Sequence, residues 1–267
     1  MSFAERYGPW AVIAGASEGT GRAFARKIAA NGVQCILIAR REAPLAALAA
    51  EIRSESGLTC VTAAIDLTSP DASEQILAAV GDREVGLFVS NAGADTNGAR
   101  FLERDLGIWL DHVRLNVITT MSCCHHFGKL MRARGKGGLL LVSSGACYGG
   151  ASFMAAYSAS KAFVLNFGES LWAELRPHGV DVLNLILGRT DTPAFRKLLA
   201  EKGMPVPPGL ASPDDVAEVG LTRLPNGPIQ NWGLADDVAG YAPSSAAARR
   251  SRILAIDVAS KQVFGDK

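Results

Sequence analysis

The sequence predicts an α/β fold, a doubly wound parallel sheet with helices on both faces. Short apolar runs alternate with longer helical patterns over the first two-thirds of the chain. Runs this apolar are typical of strands that helices cover on both sides, and strand–helix alternation favours right-handed crossovers. The 267 residues fit one large domain, and no linker-like segment interrupts them, so we expect a single domain over 1–267.

The elements are predicted from periodicity and from helix-start residues. Strands are expected at residues 11–15, 34–39, 59–65, 86–93, 138–144 and 180–187, with a last strand within 225–234. Helices are expected over 20–31, after Pro44, from Met154 to about Arg176, and from Ser212. Residues 8–193 form the expected core, 193–215 a substrate lid, and 237–267 a helical tail.

Composition excludes several classes of protein. The net charge of +1, with acids and bases interspersed, argues against a nucleic-acid or anionic-membrane partner. No apolar run reaches the roughly 18 residues of a spanning helix, and the start lacks a signal-peptide core. The five scattered cysteines indicate neither a disulfide framework nor a zinc site. We therefore expect a cytoplasmic protein without a metal, and we interpret His125 and His126 as core or interface residues.

A glycine-rich loop, "GASEGTG" at residues 15–21, lies between the first predicted strand and the first helix. Its glycines, Gly15, Gly19 and Gly21, allow a tight turn and a close approach of the backbone to a ligand. The following helix start offers free N–H groups and a positive dipole to a pyrophosphate. This position indicates dinucleotide binding in a Rossmann-type fold, although an ordinary turn is the alternative.

The glycine spacing and several later motifs resemble the short-chain dehydrogenase/reductase family over about residues 8–193. The later motifs are Asp66–Leu67, Asn91–Ala92–Gly93, Asn116, Ser143–Ser144, Tyr157 and Lys161. The loop region is most similar to the branch of 3-ketoacyl-CoA and steroid reductases. The resemblance implies that the following residues bind a nicotinamide cofactor: Gly15, Ser17, Glu18, Gly19, Thr20, Gly21, Asp66, Leu67, Asn91, Ala92, Gly93, Tyr157, Lys161, Gly188, Thr190 and Thr192.

The end of the second strand predicts NADP(H) rather than NAD(H). Folds that prefer NAD place an acidic residue there, on the ribose 2′-hydroxyl. This chain has Ala39 followed by Arg40 and Arg41, whose guanidinium groups suit a 2′-phosphate. Arg40 matches the family's phosphate-binding position better, and the alternative is that both arginines are solvated.

Tyr157 and Lys161 lie four residues apart in a predicted helix and therefore share one helix face. Free tyrosine has a pKa near 10, and a nearby ammonium favours its phenolate form. Such a tyrosine can give a proton to a carbonyl oxygen or take one from an alcohol, while the cofactor carries the hydride. The resemblance adds Ser144 as the residue that holds the substrate oxygen and Asn116 as the holder of a water beside Lys161. Ser143 is interpreted as structural.

Three positions depart from the family pattern: Ala14, Glu18 and Leu187. Ala14 loses a hydroxyl contact, and Leu187 stands where the family has proline before Gly188. The Glu18 carboxylate would repel phosphate unless it points to solvent or pairs with an arginine.

The predicted pocket is apolar, as ligand pockets usually are, so we expect a hydrophobic ketone or secondary alcohol as substrate. Its predicted lining is Ala146, Tyr148, Phe153, Met154, Ala194, Phe195, Leu198 and Leu199. Arg189 could contact a negative group or face solvent. The resemblance also implies a homodimer or homotetramer. The alternatives are an epimerase or dehydratase of the same fold and a non-catalytic NADP-binding regulator.

Overall fold

Seven parallel strands form one sheet in the part of the chain that the computed structural model describes, residues 1–94, 99–149, 153–201, 203–232, 247 and 250. The strands are β1 Trp10–Ala14, β2 Gln34–Ala39, β3 Cys60–Ala64, β4 Val85–Ser90, β5 Gly137–Ser144, β6 Val180–Leu187 and β7 Ile229–Trp232. Each pair of neighbours is parallel. The predicted doubly wound parallel sheet is therefore confirmed.

Helices connect the strands. They are α1 Phe3–Tyr7, α2 Gly19–Ala30, α3 Glu42–Ser56, α4 Ala72–Val80, α5 Leu106–Val113, α6 Thr119–Arg134, α7 Ala155–Leu175, α8 Pro193–Glu201 and α9 Pro213–Arg223. The start of α9 shows how the sequence sets these bounds. The Ser212 hydroxyl accepts a hydrogen bond from the backbone N–H of Asp214, and Pro213 occupies the first helical position.

The strand order is β3-β2-β1-β4-β5-β6-β7, so the winding direction changes between β1 and β4. In a doubly wound sheet, ligands bind beyond the carboxyl ends of the strands at such a switch point. The glycine-rich loop follows β1 and the Asn91–Gly93 segment follows β4. The fold therefore brings these two predicted motifs to one edge of the sheet.

Side chains of the central strands alternate between two apolar layers, as the period of a strand requires. Ile13 of β1 packs in the layer that includes Phe24 of α2. Its neighbour Val12 packs in the opposite layer, with Phe127 of α6 and Val164 of α7. Both sheet faces are thus covered, which agrees with the apolar character of the strand sequences.

The predicted element positions agree with the structure to within a few residues. The largest difference is at β4, which ends at Ser90 rather than continuing to residue 93. The predicted helical tail, 237–267, lies outside the described residues except for positions 247 and 250, and the single-domain organisation stays a prediction. Among the described residues, no helix combines the length and apolar character that crossing a bilayer requires.

Candidate active site

The glycine-rich loop holds a compact turn against the end of β4. Gly15 has a φ of 88°, and a Cβ on it would lie 2.8 Å from the backbone nitrogen of Ala92. Gly19, which begins α2, has a φ of 54°. No side chain of the described residues caps α2, and its first turn carries no acidic residue. Its first N–H groups are therefore available to an anion.

Asn91 ties the loop to β4. Its amide nitrogen donates to the Gly15 carbonyl oxygen over 3.1 Å, and its amide oxygen accepts from the Thr20 hydroxyl over 2.7 Å. A Cβ on Gly21 would lie 2.6 Å from that amide nitrogen. Only glycine at position 21 allows Asn91 to approach the loop this closely, so Gly21 contributes to the packing of the loop against β4.

A cleft of about 530 Å³, which we call the Arg40 cleft, follows the loop and the ends of β2 and β3. It collects most of the predicted cofactor-binding residues. Those lining it are Gly15, Ser17, Glu18, Gly19, Thr20, Arg40, Arg41, Asp66, Leu67, Asn91, Ala92, Gly93 and Thr192. Gly21 does not line the cleft and instead packs against Asn91.

The charged side chains at the glycine-rich loop and at the ends of β2 and β3 form two groups. Glu18 forms an ion pair with Arg41, which is one of the two outcomes that the sequence left open for this carboxylate. Asp66 accepts hydrogen bonds from the backbone N–H of Thr68 over 3.0 Å and from its hydroxyl over 2.9 Å. These bonds, the backbone one foremost, lower the pKa of Asp66, and the Arg40 charge adds to the effect.

A second cavity of about 730 Å³, which we call the Tyr157 cavity, opens beside the first. It contains Ser144, Tyr157, Lys161, Gly188, Thr190 and Thr192 among the predicted site residues. The two spaces share the residues Thr20, Asn91, Gly93, Ala94, Thr192 and Ala194. An elongated ligand can therefore extend from Arg40 to Tyr157.

Tyr157 and Lys161 share one face of α7, as their spacing predicts. The Lys161 ammonium nitrogen lies 5.8 Å from the centre of the Tyr157 ring. It donates a hydrogen bond to the Val142 carbonyl oxygen over 3.2 Å. The side chain is buried, with 4% exposed, and this desolvation lowers the pKa of Lys161 to about 8.

The two serines at the end of β5 differ in their surroundings. Ser143 is buried, and its hydroxyl donates to the backbone oxygen of Lys161 over 3.4 Å. Ser144 is less buried, and its hydroxyl accepts from the backbone N–H of Ala146 over 3.3 Å. That bond leaves the Ser144 O–H group available as a donor in the Tyr157 cavity.

Asn116 lies in a π-helical turn, Arg114–Ile118, between α5 and α6. Such turns often occur at functional sites. The Asn116 amide nitrogen donates to the His112 carbonyl oxygen over 3.1 Å, whereas its buried amide oxygen has no hydrogen-bond partner among the described residues. A Cβ on Gly93 would overlap this oxygen and lie 2.8 Å from the Lys161 nitrogen. Asn116 and Lys161 therefore approach the same point beside Gly93.

The segment predicted as a lid, residues 193–215, is held by hydrogen bonds near both of its ends. The Thr192 hydroxyl accepts from the backbone N–H of Phe195 over 3.2 Å at the start of α8. The returning chain bonds through Ala211 N–H to the Arg189 carbonyl oxygen over 3.0 Å. Five of the predicted pocket residues line the Tyr157 cavity: Phe153 and Met154 directly before α7, and Ala194, Phe195 and Leu198 in α8.

Three predicted pocket residues do not line the Tyr157 cavity as the structure describes it: Ala146, Tyr148 and Leu199. The Tyr148 hydroxyl donates instead to the Asn231 side chain over 2.6 Å, because the turn after β5 directs it toward β7. Leu199 is buried on the inner side of α8.

One contact of Tyr157 was not predicted from the sequence. His112 lines the Arg40 cleft, and its ring meets the Tyr157 ring edge-on with centres 5.8 Å apart. The sequence feature that points to His112 is its position one helical turn before Asn116.

The residues present fit a dinucleotide. The uncapped start of α2, at Gly19 and Thr20, lines the Arg40 cleft, and this cleft continues into the Tyr157 cavity through the lining residues that the two share. Among the described residues no group of histidines, cysteines and acids could hold a metal ion.

Comparisons with known proteins show the family of this chain. The family model for short chain dehydrogenases matches residues 9–203. A 7beta-hydroxysteroid dehydrogenase of Collinsella aerofaciens is 34% identical over 198 residues, which is 73% of this chain and 74% of the relative.

Two solved structures share the fold. One, from a study of 7beta-hydroxysteroid dehydrogenase stereoselectivity, has a TM-score of 0.81 at 26% identity, covering 95% of this chain and 99% of that one. The other, a short-chain dehydrogenase from Sphingobium yanoikuyae in complex with NADPH, has a TM-score of 0.75 at 25% identity, covering 97% and 96%. The chain therefore belongs to the short-chain dehydrogenase family, oxidoreductases that use a nicotinamide cofactor on CH–OH and C=O groups.

Proposed function

We propose that this protein is an NADP(H)-dependent oxidoreductase that interconverts a hydrophobic ketone and its secondary alcohol, with Tyr157 as the proton donor. The observation that carries the proposal is the burial of Lys161 beside Tyr157, in a cavity continuous with the Arg40 cleft. A buried cation beside a phenol suits proton transfer better than packing, because burying an ammonium costs free energy.

In this proposal the chain's own groups bind the substrate oxygen and move one proton. The Ser144 hydroxyl donates a hydrogen bond to the carbonyl oxygen, and the Tyr157 hydroxyl gives it a proton. Lys161 stabilises the phenolate that remains, and the Asn116 oxygen holds a water that returns a proton toward Lys161. When bound, the nicotinamide supplies or accepts the hydride.

Support for NADP(H) comes from the end of β2, where Arg40 lines the cleft and where two arginines, rather than a carboxylate, directly follow the strand. The NADPH complex of the Sphingobium relative agrees with this preference. We propose that Arg40 binds the 2′-phosphate, because Arg41 is already engaged by Glu18.

Support for a hydrophobic substrate comes from the lining of the Tyr157 cavity. Its apolar members come from the segment before α7, from β6 and from the predicted lid: Phe153, Met154, Leu187, Phe195, Leu198 and Leu210. A water-excluding wall of this kind strengthens the hydrogen bonds made to the reacting oxygen.

The test is loss of NADPH absorbance with a panel of hydrophobic ketones. Tyr157→Phe should lower turnover by about 10²–10⁴-fold, with NADPH affinity within a few-fold of the parent. Tyr148→Phe is the matched control, since that hydroxyl bonds Asn231 outside the cavity, and it should remain active. NADPH binding without turnover of any ketone would favour a regulator, and conversion without cofactor consumption would favour an epimerase or dehydratase.

We also propose a homodimer or homotetramer. The α6 side of the molecule exposes several large apolar side chains, among them Ile118, Met121 and Leu130 at 40–45%. Light scattering after size exclusion would measure the assembly, and a monomer would contradict this part. A cytoplasmic location stays a prediction.

A further inference from the structure

The Tyr157 cavity has an uneven charge. Two cationic side chains line it, Lys161 and Arg189, and no carboxylate of the described residues does. Lys161 is buried next to Tyr157, whereas Arg189 is exposed. A positive group therefore remains in the wall of an otherwise largely apolar space.

Neighbouring arginines are already paired. Arg196 on the lid binds the Asp191 carboxylate through two hydrogen bonds of 2.5 and 2.7 Å. Arg100 lies 3.8 Å from the Glu103 carboxylate. Arg189 has no ion pair among the described residues, and the carboxylate nearest to it in sequence, Asp191, is taken by Arg196.

The backbone at Arg189 is held in place. Its carbonyl oxygen accepts from the Ala211 N–H over 3.0 Å, and the Asp191 N–H donates to the Ala211 oxygen over 2.9 Å. Thr190 and Ala211 form a parallel bridge. A guanidinium on a fixed backbone loses less conformational freedom when it binds a ligand.

We propose that Arg189 binds a carboxylate carried by the ketone substrate, at a distance from the carbonyl group that Tyr157 protonates. A single guanidinium matches the single charge of a carboxylate and binds it through two parallel hydrogen bonds. A phosphate ester carries more charge than this one cation balances. The proposal rests on the proposed function and narrows its substrate to hydrophobic keto acids.

The experiment compares ketones that differ only in charge. Steroid ketones with a carboxylated side chain and benzoylhexanoate are each assayed beside their primary amides, with NADPH. The parent protein should prefer the acids by about tenfold in kcat/KM, mainly through KM. Arg189→Gln should remove this preference, with KM unchanged for the amides and for NADPH. Arg189→Lys should keep part of the preference, because it keeps the charge without the planar fork.

The control is Lys197→Gln, which removes an exposed cation of α8 that pairs with Glu201 and does not line the Tyr157 cavity, and it should leave the preference intact. Equal loss for acids and amides in Arg189→Gln, or weaker NADPH binding, would overturn the assignment, since Arg189 would then support the fold or the cofactor. Equal kcat/KM for acids and amides in the parent would overturn it while leaving ketone reduction standing. Failure to reduce any ketone would instead reject the proposed function and this inference with it.

Discussion

Glu18 and Arg41 form an ion pair at the edge of the Arg40 cleft, between the glycine-rich loop and the residue that follows Arg40. Both side chains are substantially exposed, so the pair itself adds little to stability. Its effect is on the electrostatic potential of the cleft. Arg41 is partly neutralised by the carboxylate, and Arg40, which has no ion pair among the described residues, remains for an incoming phosphate.

Glu18→Gln should therefore strengthen NADPH binding. Removing the carboxylate frees the Arg41 guanidinium to attract the phosphate, and we expect the Kd for NADPH to fall by about three- to tenfold at low salt. NADH lacks the 2′-phosphate, so its Kd should change less. Fluorescence titration of both cofactors measures this, with Glu42→Gln as the control, because Glu42 begins α3 outside the cleft. An equal gain with Glu42→Gln would show that only net charge matters.

Arg40→Ala tests whether Arg40 determines the preference for NADPH over NADH. Loss of a charge-assisted contact to the 2′-phosphate should weaken NADPH binding by about 10- to 100-fold. NADH binding should remain within about twofold, so the ratio of the two Kd values is the measured quantity. Equal weakening of both cofactors would contradict the assignment of Arg40 to the phosphate. Arg41→Ala should have the smaller effect on NADPH because Glu18 already engages that side chain.

The sheet was predictable because each buried parallel strand is a continuous run of apolar residues. Such runs can be recognised in a single amino-acid sequence. The proximity of Tyr157 and Lys161 was also predictable, because residues one helical turn apart lie on the same face of a helix. The ion pair of Glu18 could be named only as an option, because a tertiary contact between two loops has no local signature. Likewise, the direction of Tyr148 depends on Asn231 of β7, 83 residues later. The spacing of His112 and Asn116 relates these two residues to each other, but it does not show that His112 packs against Tyr157.

Gly93→Ala should abolish activity and lower stability. Gly93 has a φ of 143°, and a Cβ there would overlap the Asn116 amide oxygen and crowd the Lys161 nitrogen. We expect a loss of about 2 kcal/mol or more in the free energy of unfolding and of at least about 100-fold in kcat/KM for the best ketone. Urea unfolding and NADPH turnover are the measurements.

The control for Gly93→Ala is Gly107→Ala. Gly107 lies within α5, and a Cβ on it would meet no atom of the described residues within 4 Å. Alanine there should stabilise the protein by about 0.5–1 kcal/mol through helix propensity. Near-normal turnover in Gly93→Ala would show that Asn116 and Lys161 tolerate displacement, and the proposed proton path would then be wrong.

Lys161→Met should make the protein more stable at pH 7 and inactive. Burial lowers the pKa of Lys161 from 10.5 to about 8, so at pH 7 the folded state holds an ammonium away from water. A shift of this size corresponds to a cost on the order of 3 kcal/mol. Methionine fills similar space without that cost, and we expect a gain of about 1–3 kcal/mol in urea unfolding without cofactor. Lys129→Met, which alters an exposed lysine of α6, is the control.

The stability gain in Lys161→Met should depend on pH in a defined direction. Between pH 8 and 10.5 the unfolded parent chain binds the lysine proton and the folded one does not, so parental stability rises with pH through this window. The stability gain of the variant is therefore full below about pH 8 and declines toward zero by about pH 10.5, because Lys161 is then neutral in both the folded and the unfolded parent protein. Differences between variant and parent remove the contribution of other titrating groups. A gain that stays constant across this window would mean that Lys161 is not a strained buried cation, and the proton-transfer role argued from its burial would lose its support.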